Sequence, residues 1–498
     1  MNTENSAEKL LIPEASPESV GVPSGAVLSM LKEFDDKRLP MHSLLILRNG
    51  KLVSENYWKP FHRDRKHRLY SISKSFTSLA VGIMADEGKI GLDDKIADHF
   101  PEYMTADAHE YTKRATIRDM LMMADCHADH PYGFGDTNWV KTWFDKPVTH
   151  PAGSVFNYNT CCTNLCCAVV EKISGMSFID YLYPRLLTPV GASEGITCIK
   201  SPEGYSFGGS GVLARPLDLA LVMLVCMNKG AWNGKQLISE EFIREATSMQ
   251  IDNSVTGNFI DEQQGYGYQF WRTRHNGFAC YGMGSQYAIC LPDKDLVVIT
   301  TADTQGIATG GYIVHETVYA KLLPFLSDDP LPEDDAAINE LKTYSASMEL
   351  PVVPGKPHSP VINHVSGKTY TLANNPMNIK TVRFDFGKDD ITMTYEKASG
   401  NYSLKFGIGK LIIQSFPETH YCGMQIGVSA DRGYESRASA AWSTENCLRA
   451  KLYVTDIYFG SFSMNVSFIG DEVTIIMTKI AESFLDDYQG TATGKITV

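Results

Sequence analysis

Apolar residues run as Leu44-Leu45-Ile46-Leu47, pause at Asn49-Gly50, and then alternate with polar ones through Tyr57. Asn-Gly suits the positive φ angles of a two-residue type I′ turn, so residues 44–57 read as a β-hairpin. Beyond it the period changes. Phe76, Leu79, Ala80 and Ile83 fall at i, i+3, i+4 and i+7, with Gly88 placed as a helix stop. Residues 116–123, 162–174, 213–228 and 239–249 read as further helices, separated by loops rich in Gly, Pro, Asp and His. Strands return at 286–291 and 295–301 around Pro292-Asp293-Lys294. The order of hairpin, helical block and hairpin predicts an α+β unit. Its antiparallel sheet joins the two sequence ends, and the helices pack on it.

At residues 325–360 the pattern breaks into Ser327-Asp328-Asp329-Pro330, a short helical stretch, and Pro351, Pro354, Pro357 and Pro360. A domain boundary is expected there, giving a first domain at 1–330, a linker at 331–355 and a second domain at 356–498. The second domain holds many short strand candidates (381–386, 391–396, 402–406, 410–415, 451–458, 461–468 and 473–478). Turn residues separate them, the pattern of an antiparallel sheet or small barrel.

Composition narrows the function classes. A chain of 498 residues with 43 % hydrophobic and 21 % charged residues is a folded globular protein. A net charge of −13 disfavours nucleic acid as a partner. The longest strongly apolar stretch, Leu219 to Met227, is too short to span a membrane, which needs about 20 residues. The amino-terminal octapeptide lacks the basic start and apolar core of a secretory leader. A cytoplasmic location is expected, with the 11 cysteines as reduced thiols.

Three segments carry candidate chemistry. Ser71-Ile72-Ser73-Lys74 opens the long helix, and residues i and i+3 share a face, so hydroxyl and amine come within reach of each other. A lysine so placed can act as the base for a serine nucleophile. Ser29-Met30-Leu31-Lys32 has the same spacing, so the motif alone is weak. Tyr158-Asn159-Thr160 follows, just before the 162–174 helix, and a phenol beside a lysine can pass a proton to a leaving group. Gly282-Met283-Gly284-Ser285-Gln286 then opens a strand. Its glycines would let backbone N–H groups point at an oxyanion.

The ordered set Tyr70-Ser71-Ile72-Ser73-Lys74-Ser75-Phe76, Phe156-Asn157-Tyr158-Asn159, Gly265-Tyr266-Gly267-Tyr268-Gln269-Phe270-Trp271 and Gly282-x-Gly284-x-Gln286 resembles the class C β-lactamase-like serine hydrolases. That group includes penicillin-binding-protein-like esterases, D-aminopeptidases and 6-aminohexanoate-oligomer hydrolases. The resemblance covers roughly residues 15–325. It implies a β-lactamase/transpeptidase-like antiparallel sheet with flanking helices and a helical subdomain; residues 356–498 resemble the small antiparallel β-barrel-like domains of some members. It also implies that Ser71 is acylated, Lys74 accepts its proton, Tyr158 assists the leaving group, and the N–H groups of Ser71 and Met283, between Gly282 and Gly284, form the oxyanion hole. No metal or organic cofactor is implied, and the expected partner is a small ester or amide.

Two positions depart from the family pattern. Cys280 stands where β-lactamases and transpeptidases carry a Lys or His that holds a substrate carboxylate, so efficient β-lactam hydrolysis is not expected. Thr160 replaces the Asn or Ser of the tyrosine motif and loses the amide's paired donor and acceptor. Asp125, Cys126, His127, Asp129 and His130 could be read as a metal cluster, but the distant second ligand pair of a structural zinc site is missing. The basic run His62 to Arg68 could attract an anion, or be a solvated loop. Tyr132, Trp139, Trp143, Tyr266 and Tyr268 could line an acyl pocket, or be core.

Overall fold

Asn49 and Gly50 take φ angles of 52° and 70°, and the turn they make joins the first two strands of a six-strand sheet. Its strands are β1 (Met41–Arg48), β2 (Lys51–Tyr57), β3 (Trp271–Thr273), β4 (Gly277–Gly282), β5 (Gln286–Leu291) and β6 (Leu296–Ala302). Their spatial order is β2-β1-β6-β5-β4-β3. All neighbours are antiparallel, and Leu45 on β1 faces Ile299 on β6. The two sequence ends of the unit meet, as the order of elements requires. This computed structural model describes residues 12–133, 135–257, 259–417, 433–482 and 484–497. The amino-terminal octapeptide lies outside them. Among the described residues no helix is long and apolar enough to cross a membrane.

The longer helices of this unit include α1 (Ser24–Asp36), α2 (Ser73–Asp86), α3 (Thr160–Ser174) and α4 (Pro216–Met227), of which α2 and α3 carry or adjoin the candidate chemistry. The apolar spacing of α2 suggested one buried stripe, but every residue from Ser73 to Met84 is buried. Its small polar side chains are therefore bonded outward. Ser73 Oγ accepts from the Val212 N–H, Thr77 donates to the Gly208 carbonyl, Ser75 to Gln269 and Ser78 to Tyr268. Each such bond contributes about 1 kcal/mol net and would cost more if left unmade. The expected helix at 213–228 begins only at Pro216, because Val212–Ala214 is a short strand paired with His67–Arg68. Proline at the first helical position needs no N–H partner.

The chain divides into two compact units, Met1–Glu349 and Leu350–Val498. Within residues 331–355, expected as a linker, Asp335–Ser347 forms a helix. Tyr344 of that helix donates to Asp35 (2.7 Å), and Lys32 donates to Glu340 (2.8 Å). Lys32 of the second Ser-x-x-Lys match is thus a surface ion-pair partner. In the second unit ten strands between Thr369 and Ile496 form one sheet. Gly400–Ile408 meets Tyr434–Trp442 in parallel, Gly407 facing Ser439, which closes a barrel of nine strands. Ile412–Phe416 pairs with the same edge of Tyr434–Trp442. Inward positions such as Val382, Phe384, Met393, Leu404, Leu452, Met464 and Ile475 fill the barrel with side chains.

A pair of buried imidazoles ties the segment before Ser71 to the sheet. His42 Nδ1 lies 2.6 Å from His67 Nε2, and His42 stacks on Phe61 at 3.7 Å. Burial, with Arg65 nearby, lowers both pKa values, that of His67 to about 3. Below pH ~6.5 the unfolded chain therefore binds protons that the folded chain refuses, and stability falls as pH drops toward 3. The loss approaches 1.4 kcal/mol per imidazole per pH unit, to order of magnitude. Thermal denaturation followed from about pH 8 to about pH 5 should decline more steeply for the wild type than for a His42→Gln/His67→Gln variant. Parallel curves would show that the pair does not set the acid sensitivity.

Candidate active site

Ser71 sits in a single 3₁₀ turn, Tyr70–Ile72, that runs into α2. Tyr70 is buried with φ at 47°, a left-handed conformation that a bulky side chain adopts only when its surroundings enforce it. The Arg68 guanidinium covers the Tyr70 ring at 4.3 Å and donates to the Ser210 carbonyl at 3.0 Å. Lys74 lies one turn further along. Its Nζ donates to Ser71 Oγ at 2.8 Å and to the Gly209 carbonyl at 2.7 Å. Lys74 is 1 % exposed, whereas Ser71 is half-buried.

The Gly209 carbonyl can reach Lys74 because residues 207–211 lie directly on α3. A Cβ on Gly208 would stand 2.6 Å from Cys167 Cβ, and one on Gly209 2.4 Å from Thr160 Cγ2. Reading the sequence for nucleophile motifs passes over Gly208-Gly209-Ser210-Gly211; its signal was a glycine cluster just before a short strand.

Tyr158 precedes α3 and is held by the capping of that helix. The Asn159 side chain accepts from the Cys161 N–H (2.9 Å), and its Nδ2 donates to Asp125 Oδ2 at 3.1 Å. Asp125, fully buried, also accepts from the His127 N–H and the Trp143 indole. The Asp125/His127 pair therefore braces the tyrosine motif, and among the described residues no group of His, Cys, Asp or Glu is arranged to hold a metal ion. The Tyr158 ring lies 5.2 Å from Trp271 and 5.1 Å from Lys74 Nζ. Burial raises the phenol's pKa, while a hydrogen bond with Ser71 opposes the rise, so Tyr158 is protonated at neutral pH.

The third segment is the turn between β4 and β5. Gly284 and Ser285 have φ angles of 78° and 68°. Gln286 Nε2 donates to the Met283 carbonyl (2.9 Å) and the Ala302 carbonyl (2.6 Å), while its Oε1 accepts from the Ala302 N–H. One amide thus fixes the turn to β6. A Cβ on Gly282 would lie 2.3 Å from the Leu69 carbonyl oxygen, so this glycine lets β4 touch the chain two residues before Ser71.

A cavity of about 650 Å³ opens where the three segments converge, and Ser71, Tyr158, Gly282, Met283 and Gly284 all line it. Residues 28–311 match the family described as beta-lactamase. The chain belongs to the β-lactamase family. A curated relative, 6-aminohexanoate-dimer hydrolase of Paenarthrobacter ureafaciens, is 22 % identical over 267 residues, which are 49 % of this chain and 67 % of that protein. Penicillin-binding protein 4 of Amycolatopsis lactamdurans is 30 % identical over 195 residues, 37 % of this chain and 50 % of its own length. A solved Bacillus anthracis structure, named as a candidate 6-aminohexanoate-dimer hydrolase, superposes with a TM-score of 0.51 at 18 % identity. It covers 62 % of this chain and 85 % of that one, a likeness of fold.

In this β-lactamase-family site one expected position falls elsewhere, and the readings left open for others are decided. Thr160 does not line the cavity; it is the first residue of α3, with its methyl turned to Gly209. Cys280 is 1 % exposed and directs its thiol to Met223 of α4 at 3.5 Å, and burial pushes its pKa up to about 12. Tyr132, Trp139, Trp143, Tyr266 and Tyr268 are outside the cavity wall, whereas Phe156, Phe259, Trp271, Tyr281 and Tyr287 form it. Tyr132, for example, stacks on Trp139 at 4.3 Å. Within the basic run, Arg63 pairs with Glu55 and His67 and Arg68 are buried, while His62 and Lys66 are exposed.

Gly282→Ala should displace the turn that carries Ser71. The expected result is a fall in the rate of Ser71 acylation by a reactive probe on the order of a hundredfold, because about 1 Å of misplacement costs that much. Intact-protein mass spectrometry over time would measure it, and an unchanged rate would show that the contact with Leu69 does not matter.

Proposed function

We propose that the protein is a serine hydrolase that cleaves a small ester or amide through an acyl-enzyme on Ser71. The observation that carries this reading is the 2.8 Å contact between Lys74 Nζ and Ser71 Oγ beside the cavity, with Tyr158 next to both. In this reading the neutral Lys74 amine keeps its bond to Gly209 and turns its lone pair to the Ser71 hydroxyl. Ser71 Oγ attacks the carbonyl carbon as Lys74 takes the proton. The N–H groups of Ser71 and Met283 receive the oxyanion, each such donor contributing about 3–4 kcal/mol. On collapse the bond to the alcohol or amine breaks, and the proton passes from Lys74 through the Tyr158 hydroxyl to the leaving group. Water, activated by the same groups, then releases the acid.

A second reading is an amidase or peptidase acting on D-amino or ω-amino acid substrates, favoured by the relative named 6-aminohexanoate-dimer hydrolase. Matched ester and amide substrates separate the two. A third, a binding module that acylates without turnover, is tested by deacylation.

A fluorophosphonate should add once to the wild-type protein and not at all to Ser71→Ala. Tyr158→Phe should lower kcat/KM for esters by roughly a hundredfold or more, the range of a positioned acid or base, while leaving the melting temperature nearly unchanged. No adduct on the folded wild type would dismiss the hydrolase reading, and a burst without turnover would favour the binding module.

A further inference from the structure

A second cavity, of about 500 Å³, lies in the same unit, and neither Ser71 nor Tyr158 lines it. Edge strand β3 contributes to both cavities. Successive side chains of a strand point to opposite faces, so Trp271 walls the Ser71 cavity while Arg272 turns into the second one. The floor of the second cavity is apolar: Cys226 and Met227 at the end of α4, Ile243 of the helix Glu240–Ala246, and Phe278 of β4. Its charged residues are Lys229, Glu240, Arg244 and Arg272. Lys229 donates to Glu240 at 2.9 Å, so those two offset each other. Arg244 is exposed and lies 3.8 Å from Glu241 and 3.9 Å from Glu245. The half-buried Arg272 has a different setting. Its guanidinium donates to the Thr247 carbonyl at 2.9 Å and to Asn276 Oδ1 at 2.8 Å, both neutral acceptors. Among the described residues no carboxylate stands within ion-pairing distance of it. Asp293 acts on it only through Asn276, whose amide donates to that carboxylate at 3.2 Å. Burial lowers the pKa of Arg272, and the charge of Asp293 opposes the fall.

A guanidinium that has lost part of its water without gaining a counter-ion is a ready partner for an anion, because a charge-assisted hydrogen bond is stronger than one to a neutral acceptor. One uncompensated positive charge matches a monoanion. The apolar floor adds a second requirement, since it rewards a ligand with a hydrocarbon part and gives nothing to a bare inorganic ion. The volume is that of an ordinary small-molecule site. We propose that this second cavity binds an aliphatic carboxylate, its head group on Arg272 and its chain against Met227, Ile243 and Phe278. The site is separate from the chemistry at Ser71 and does not rest on the hydrolase reading. Because β3 and β4 wall both cavities, a ligand there touches the two strands that also carry Trp271 and Gly282.

The test is calorimetric titration of the intact protein with sodium octanoate, and with octan-1-ol as a neutral control of the same length. Octanoate should bind at one site more tightly than the alcohol by on the order of tenfold, the range of a hydrogen bond to a charged group. Arg272→Gln should remove that advantage. Met249→Glu, at a wall position that is 60 % exposed, should weaken octanoate by a similar factor, because it sets a second negative charge beside the anion. This variant decides if Arg272→Gln does not fold. Octanoate binding should also persist after fluorophosphonate has labelled Ser71. The proposal is overturned by an absence of saturable octanoate binding, by equal affinity for acid and alcohol, by affinity unchanged in a folded variant, or by loss of binding on labelling. If Ser71 takes no label, the hydrolase reading fails on its own, and the titrations of the two variants still decide the site.

Discussion

The first unit depends on a helix that has no solvent face. From Ser73 to Met84 every residue of α2 is buried, so each polar group on it must find a partner inside the protein. The partners are backbone atoms of two loops that come from distant parts of the chain, residues 208–212 and 268–269. Hydroxyls at 73, 75, 77 and 78 act as short pegs that fix those loops to the helix. The turn holding Ser71, the carbonyl that anchors Lys74 and the entry to β3 are thereby placed by one rigid element. Misalignment of any of the three would leave a buried donor or acceptor without a partner.

Two glutamines perform a related service. Gln269, itself at a φ of 63°, donates through Nε2 to the carbonyls of Met120 and Leu121 and accepts from Thr163. Gln286 fixes the Met283 turn to β6 with both ends of its amide. Each substitutes for a backbone pairing where the chain has turned out of regular structure. A glutamate in either place would lose the two donors on which the arrangement relies.

Much of this was legible in the residues. Asn49-Gly50 identified the first hairpin, and the Pro292-Asp293-Lys294 turn the last, because turn chemistry is local. Ser71, Lys74 and Tyr158 stood out through their order along the chain, since the spacing of Ser71 and Lys74 recurs at Ser29 and Lys32. The encirclement of α2 was hidden because periodicity counts apolar residues, whereas its outer faces are serine, threonine, glycine and alanine. Tyr434–Trp442 and Gly490–Ile496 escaped notice as strands for the same reason: Ala, Ser, Gly and Thr interrupt their alternation, yet pairing on both edges defines them. The cavity wall combines Phe156, Trp271, Tyr281 and Tyr287 from separate segments, and only tertiary contact shows that they face one space.

The cysteines of α3 are packing atoms. Cys161, Cys162, Cys166 and Cys167 are buried, and burial raises their pKa values, so the thiolate form that alkylating reagents attack is suppressed. Cys167 in particular fills the space that the missing side chain of Gly208 leaves open. Burial thus slows these four thiols toward alkylating reagents, and each modification of one of them records a moment when the packing around α3 has opened. The protein carries its own clock for the opening of the helix that follows Tyr158.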